Sequence, residues 1–172
     1  LAVKNDGTFL GFKNETIANI GAYASVFGTV TPTYLFGPCA TGVYKMPAAY
    51  SNVKAVYTNT APVDAYRGAG RPEATYTIER LVEKAAMELG IDRTELRMKN
   101  FPTQFPFKQT LVHTVDSGDY VAGLEKAKQM ADYSGFEARR KKSEANGKLR
   151  GLGVSSYFEA CGIAPSAAVM SL

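Results

Sequence analysis

The segment DAYRGAGRPE, residues 64–73, places two arginines and two glycines immediately ahead of a proline. Gly68 and Gly70 permit backbone angles that other residues resist and let a ligand approach the main chain closely. The segment leads into a helical pattern, and a helix start offers unpaired N–H groups and a dipole that favour an anion. Arg67 and Arg71 add full positive charges on planar donor forks. These features suit an oxyanion, a phosphate or a metal-oxo group. The spacing is not that of the phosphate loop GxxxxGK[ST], because no Lys-Ser or Lys-Thr pair follows, nor that of GxGxxG, because Arg71-Pro72-Glu73 follows Gly70. A glycine-rich turn that merely enters a helix has the same composition, so the residues alone leave both readings open.

Other reactive residue types are sparse. Cys39 and Cys161 have no His or Cys at metal-ligand spacing and read as two free thiols of an intracellular protein. His113 is the only histidine, belongs to no Cys/His pair or evident triad, and reads as structural. Glu79 and Glu83 are placed on the outer, solvated side of the helix that follows the loop. The basic run at Arg139–Lys142 reads as a solvated helix face rather than a nucleic-acid patch.

The elements around the loop follow from hydrophobic periodicity. Residues 1–30 read as extended, with a hairpin turn at Asp6-Gly7. Residues 31–50 read as an irregular crossing and residues 52–58 as a strand with Val53, Ala55 and Tyr57 on one side. From Pro72, placed at the first helical position, Ile78, Leu81, Val82, Ala85, Ala86 and Leu89 form one apolar stripe, closed by a left-handed cap at Gly90. Asp92 is an N-cap with Glu95 at capping-box spacing, and Ile91 and Leu96 are spaced as a hydrophobic staple. Asn100 and Pro102 end that second helix. Tyr120, Leu124, Ala127 and Ala131 share one face of a third helix. Residues 135–147 form a fourth that is polar nearly all round, and residues 150–158 return as a strand. The resulting division is strand-rich 1–65, loop 66–71, helical 72–146 and returning strand 150–158, an α+β arrangement within one fragment.

Bulk composition sets outer limits. A chain of 172 residues with 45% hydrophobic residues, 21% charged residues and a net charge of +4 is composed like a globular domain. No apolar run approaches the ~18 residues of a membrane-spanning helix. The chain opens without an initiator Met or a signal-peptide pattern and reads as a piece of a longer, cytoplasmic protein.

Residues 58–101, TNTAPVDAYRGAGRPEATYTIERLVEKAAMELGIDRTELRMKNF, resemble the molybdenum-binding chain of the xanthine dehydrogenase and aldehyde oxidase family, in the branch labelled as a second form of the aerobic carbon monoxide dehydrogenase large chain. GAYASVFG and YKMPAAYSNVKAVYTNTAP upstream, and DSGDY and RGLGVSSYFEACGIAP downstream, resemble family segments in family order. The resemblance implies a molybdopterin cofactor, as the cytosine dinucleotide, and hydroxylation of a small-molecule substrate at an electron-poor carbon with oxygen from water. It further implies partner subunits carrying iron–sulfur clusters and FAD. Carried over residue by residue, it places Arg67 against the cofactor, with Tyr66, Gly68, Ala69 and Gly70 as its loop neighbours. Carbon monoxide dehydrogenases carry a copper-holding Cys where Gly68 stands. Xanthine-oxidising members carry Phe where Ala69 stands and Arg at a place aligned with Leu35. These departures point away from carbon monoxide and purines and towards an aldehyde or an aromatic heterocycle. The family's general base lies outside these residues, so no catalytic residue and no protein ligand to a metal is assigned. Glu159 reads as structural, because it has no partner to tune it. The implied function is part of a molybdenum hydroxylase large subunit, inactive alone. The competing class is a stand-alone anion-binding or subunit-docking α+β module.

Overall fold

The computed structural model describes residues 1–158. Strand β1 (Ala2–Val3) pairs antiparallel with β2 (Phe9–Asn19) through the turn at Asp6-Gly7, as the turn signal predicts. Gly7 has φ +85°, and a Cβ there would come within about 3 Å of Leu96 and Ile91 side chains, so the turn needs glycine for angle and for room. The rest of the strand-rich third differs from expectation. Residues 20–25 are irregular and residues 26–30 are turns, and residues 31–50 contain a π-helical turn (Thr31–Leu35) and a 3-10 turn (Gly37–Cys39). Strand β3 spans Ala48–Val56 rather than 52–58, and it runs parallel to β2, from Gly11↔Ala48 to Asn19↔Val56. Ala55 and Tyr57 are exposed and only Val53 packs inward, so the expected one-sided strand face is not buried.

Helix α1 (Arg71–Leu89) begins one residue earlier than expected, so Pro72 takes its second position. The apolar stripe is where the periodicity puts it: Ile78, Val82 and Ala86 are buried, and Leu81 and Ala85 pack against the core. Gly90 closes the helix at φ 65°. Helix α2 (Arg93–Asn100) is capped by Asp92, whose carboxylate accepts from the N–H groups of Thr94 and Glu95. Partial burial opposes the charge, but hydrogen bonds from the Thr94 hydroxyl first, then the Tyr133 hydroxyl and those two N–H groups, outweigh it and lower the Asp92 pKa to about 2. Asn100 ties the end of α2 to the hairpin: its amide donates to Gly7 O (2.9 Å) and its Oδ1 accepts from Phe9 N (2.9 Å).

A short hairpin, β4 (Phe107–Lys108) with β5 (Thr114–Val115), interrupts the helical half and was not evident in the sequence. Helix α3 (Tyr120–Met130) packs through Tyr120 and Leu124 only, because Ala127 and Ala131 are exposed. Helix α4 (Phe136–Glu144) buries no residue; Arg140, Lys141 and Lys142 are exposed as expected, but Arg139 is half-buried and donates to Ala131 O and Asp132 O. Residues 150–158 are not a strand among the described residues. They form a strap whose backbone is bonded by side chains of α1 and α2 instead of by a ladder. No helix among the described residues is long and apolar enough to cross a membrane. Glu159 and Cys161 lie outside the described residues.

Candidate functional site

The loop ahead of α1 has an unusual backbone. Gly68 (φ 96°), Ala69 (φ 30°) and Gly70 (φ 85°) lie in succession at positive φ, and Ala69 does so with a side chain. Such conformations cost of order 1–3 kcal/mol at a non-glycine residue and persist only where the surroundings enforce them. The enforcing contacts are visible. Ala69 N donates to Tyr66 O (2.9 Å) and Arg71 N to Gly68 O (3.2 Å), while Ala74 N reaches Gly70 O (3.0 Å) to start the helix. Gly70 is buried against the π-helical turn, where a Cβ would approach Thr31 O at 2.5 Å and Phe36 N at 2.6 Å. A Cβ on Gly68 would meet the Pro72 ring at 2.9 Å. Only a residue without a side chain fits either place as the loop stands.

This arrangement leaves the loop open on its outer side. Tyr66 is 88% exposed and Arg67 is exposed, without an ion-pair partner among the described residues. The N–H groups of Gly68 and Gly70 likewise have no partner among the described residues. Main-chain donors, a guanidinium and the start of a 19-residue helix therefore share one short segment. The fold also brings Leu35 to the loop: its carbonyl carbon lies 2.7 Å from where a Gly70 Cβ would stand. The five expected site residues, Tyr66 to Gly70, are thus one turn, flanked by the residue expected to mark the substrate side.

Two groups away from the outer loop face depart from expectation. His113 Nε2 stands 3.6 Å from Cys39 Sγ, so the two do form a pair; nothing in their spacing signals it, because β4–β5 delivers the histidine. Burial, with the nearby Arg71 charge, lowers the His113 pKa. The larger correction concerns α1. Glu79 is 6% exposed, not solvated, and Arg97 of α2 is fully buried against it, Nε to Oε2 at 3.0 Å. Glu83 is also largely buried, bonded to Arg97 at 3.4 Å and to Arg93 at 2.9 Å. Tyr44 donates its hydroxyl to Glu79 Oε1 and stacks on Phe101 at 5.7 Å. Burial and the Glu79 carboxylate raise the Tyr44 pKa well above its usual value. Burial opposes charge on Arg97, but Glu79 leads the groups that hold its pKa above the ordinary value. No cluster of three or more His, Cys, Asp or Glu able to hold a metal occurs among the described residues.

Comparison with known proteins identifies the family to which this fold belongs. The model of the molybdopterin cofactor-binding domain family matches residues 1–101, and the chain belongs to this family. It is 38% identical to the carbon monoxide dehydrogenase large chain of Hydrogenophaga pseudoflava, over 96% of this chain and 22% of that one. It is 33% identical to the 6-hydroxypseudooxynicotine dehydrogenase complex subunit gamma of Paenarthrobacter nicotinovorans, over 95% of this chain and 21% of the relative. Quinoline 2-oxidoreductase from Pseudomonas putida 86 superposes with a TM-score of 0.82 at 34% identity, covering 89% of this chain and 20% of that structure. The chain therefore spans about a fifth of the length of the relatives it matches.

Proposed function

We propose that the chain is the loop-bearing part of a molybdenum hydroxylase large subunit, and that residues 66–70 hold an electron-rich part of a molybdopterin cofactor. The observation that carries this is the run of three left-handed residues, Gly68, Ala69 and Gly70, in which the N–H groups of both glycines have no partner among the described residues, beside Arg67 in a chain of this family. The residues fit such a group: donors fixed by packing stabilise negative charge without reorganising. Arg67 would bind and orient the cofactor, Tyr66 and Ala69 would flank it, and the glycines would let it approach the backbone. When bound, the molybdenum centre supplies two-electron oxidation of the substrate with oxygen drawn from water. The cofactor form consistent with a bacterial-type large chain is the cytosine dinucleotide, with electrons passing to iron–sulfur and FAD-bearing partners in the cytoplasm.

For the substrate, we favour an aldehyde or an aromatic heterocycle. Gly68 offers no copper ligand, and its φ of 96° together with the Pro72 ring leaves no room for a cysteine side chain as the loop stands. Ala69 and Leu35 offer neither an aromatic stacking face nor a cation for a purine. A stand-alone anion-binding module is disfavoured, because similarity runs along 96% of the chain to a subunit of which it forms 22%. Metal and pterin analysis of the complete, native complex tests the reading. About one molybdenum and one pterin per large subunit is expected, and absence of both would overturn it. Steady-state rates on aldehydes, N-heterocycles and xanthine test the substrate class, and a clear preference for xanthine would refute it.

A further inference from the structure

The loop at residues 66–70 is reached by one histidine along two routes. His113 ends the turn of the β4–β5 hairpin, which Gln109 N closes by donating to His113 O (2.8 Å). The turn is fastened to residues 42–46: the Gln109 amide donates to Gly42 O and the Thr110 hydroxyl to Met46 O. This fixes the half-buried imidazole with Nε2 3.6 Å from Cys39 Sγ and the Phe158 ring edge-on at 6.1 Å. The first route runs through Cys39 to Gly70. Cys39 N donates to Phe36 O (3.1 Å) and Phe36 N donates to Thr31 O (3.1 Å). That same Phe36 N and Thr31 O are the atoms that leave Gly70 no room for a Cβ. The second route is electrostatic. Arg71, the first residue of α1, is the one charged group that acts on the imidazole among the described residues.

These surroundings suit a neutral ring. The 3-10 turn supplies a thiol, α1 a permanent guanidinium, the strap an aromatic ring, and the hairpin itself the exposed Lys108; no carboxylate among the described residues acts on the imidazole. A thiol is a weak donor and acceptor and offers an imidazolium little. A charged ring would also repel Arg71 at the first turn of α1, where the helix dipole is already positive. Burial first, then the Arg71 charge, lower the His113 pKa below 6.5. A state with the loop released, in which the ring regains its ordinary pKa, therefore takes up the proton first. The ordered loop is fully favoured above pH 6.5. Below that it loses up to about tenfold against the released state per pH unit, until the ring is protonated in the ordered state too.

We propose that His113 is a positioning residue for the loop at 66–70: uncharged, it keeps Cys39 and Arg71 where they fix Gly70, and its protonation releases the loop and with it the cofactor. The release of cofactor rests on that loop holding it. The complete complex tests the proposal at about pH 7.5 and about pH 5.5, either side of the ordinary histidine value. One readout is hydrogen-exchange protection, corrected for intrinsic rate, at the amides of Ala69, Arg71 and Ala74, which donate to Tyr66 O, Gly68 O and Gly70 O. The other is molybdenum and pterin retained after gel filtration. In the wild-type complex both should fall at the lower pH, protection by roughly 3- to 10-fold. His113→Gln, which keeps a polar side chain but takes up no proton, should hold both level. His113→Lys, charged throughout, should show the low values at the higher pH already. An equal fall in wild type and His113→Gln, or no fall in the wild type, would overturn the proposal. A His113-dependent fall in protection in a complex without molybdenum or pterin sinks only the cofactor assignment. Full metal and pterin with protection indifferent to pH sinks only the role of His113.

Discussion

Helix α1 carries charge at both ends of a contrast. At Glu79 and Glu83 the carboxylates are turned inward, and every strong partner is supplied: Arg97, Arg93, Tyr44 and the strap backbone. At the loop ahead of the same helix, Arg67 is exposed, and neither it nor the N–H groups of Gly68 and Gly70 meet a partner among the described residues. The first cluster is closed on itself and holds α1, α2 and the strap together. The second is held rigid by its surroundings yet left incomplete, which is what a binding segment requires and a structural turn does not.

Variants that separate stability from binding sharpen this contrast. The largest effect on folding is expected from Arg97→Ala, which strands Glu79 as a buried charge at a cost of about 3–5 kcal/mol. Denaturant unfolding of the complete subunit would show it, and the double variant Glu79→Leu with Arg97→Met should recover most of the loss. A small effect of Arg97→Ala would mean that the cluster is solvated after all. Gly70→Ala comes next, because φ 85° and the 2.5 Å approach to Thr31 O both oppose a side chain. It should destabilise by more than ~1 kcal/mol and lower cofactor content, since it distorts the loop itself.

Asp92→Ala should cost about 1 kcal/mol through loss of the α2 cap. The Asp92 pKa of about 2 lies below the ordinary 3.8, so its contribution is fully present above pH 3.8 and is lost as pH falls towards 2. In Asp92→Ala that part of the acid transition should flatten. His113 contributes with the same sign at higher pH. Its lowered pKa makes the unfolded chain bind the proton first, so stability should decline as pH falls below about 6.5, and His113→Gln should remove that slope. An unchanged slope would place the titration elsewhere.

Local signals were legible in the sequence. The Asp6-Gly7 turn, the stripe of Ile78, Val82 and Ala86, the Asp92 cap and the Gly90 stop each depend on residues within a few positions of one another. Long-range pairing was not. Glu79 borders the buried stripe, and nothing on α1 shows that Arg97, 18 residues on, turns that border into core. A usable hint was the position of Arg97, three residues from both Thr94 and Asn100 on the buried face of α2. The parallel register of β2 with β3, the β4–β5 hairpin and the Cys39–His113 contact are equally non-local. The strap has the alternation of a strand but takes its hydrogen bonds from side chains, a distinction that alternation cannot express. The loop was legible in composition, and its three successive positive φ angles became visible only in the fold.

The most direct test is Arg67→Ala in the complete complex, read as molybdenum and pterin retained per folded subunit. An exposed arginine without a partner among the described residues should leave stability within ~0.5 kcal/mol of wild type. Loss of a charge-assisted bond should lower cofactor retention roughly 10- to 100-fold. Wild-type molybdenum and pterin content in a fully folded Arg67→Ala subunit would contradict the assignment of the loop to the cofactor.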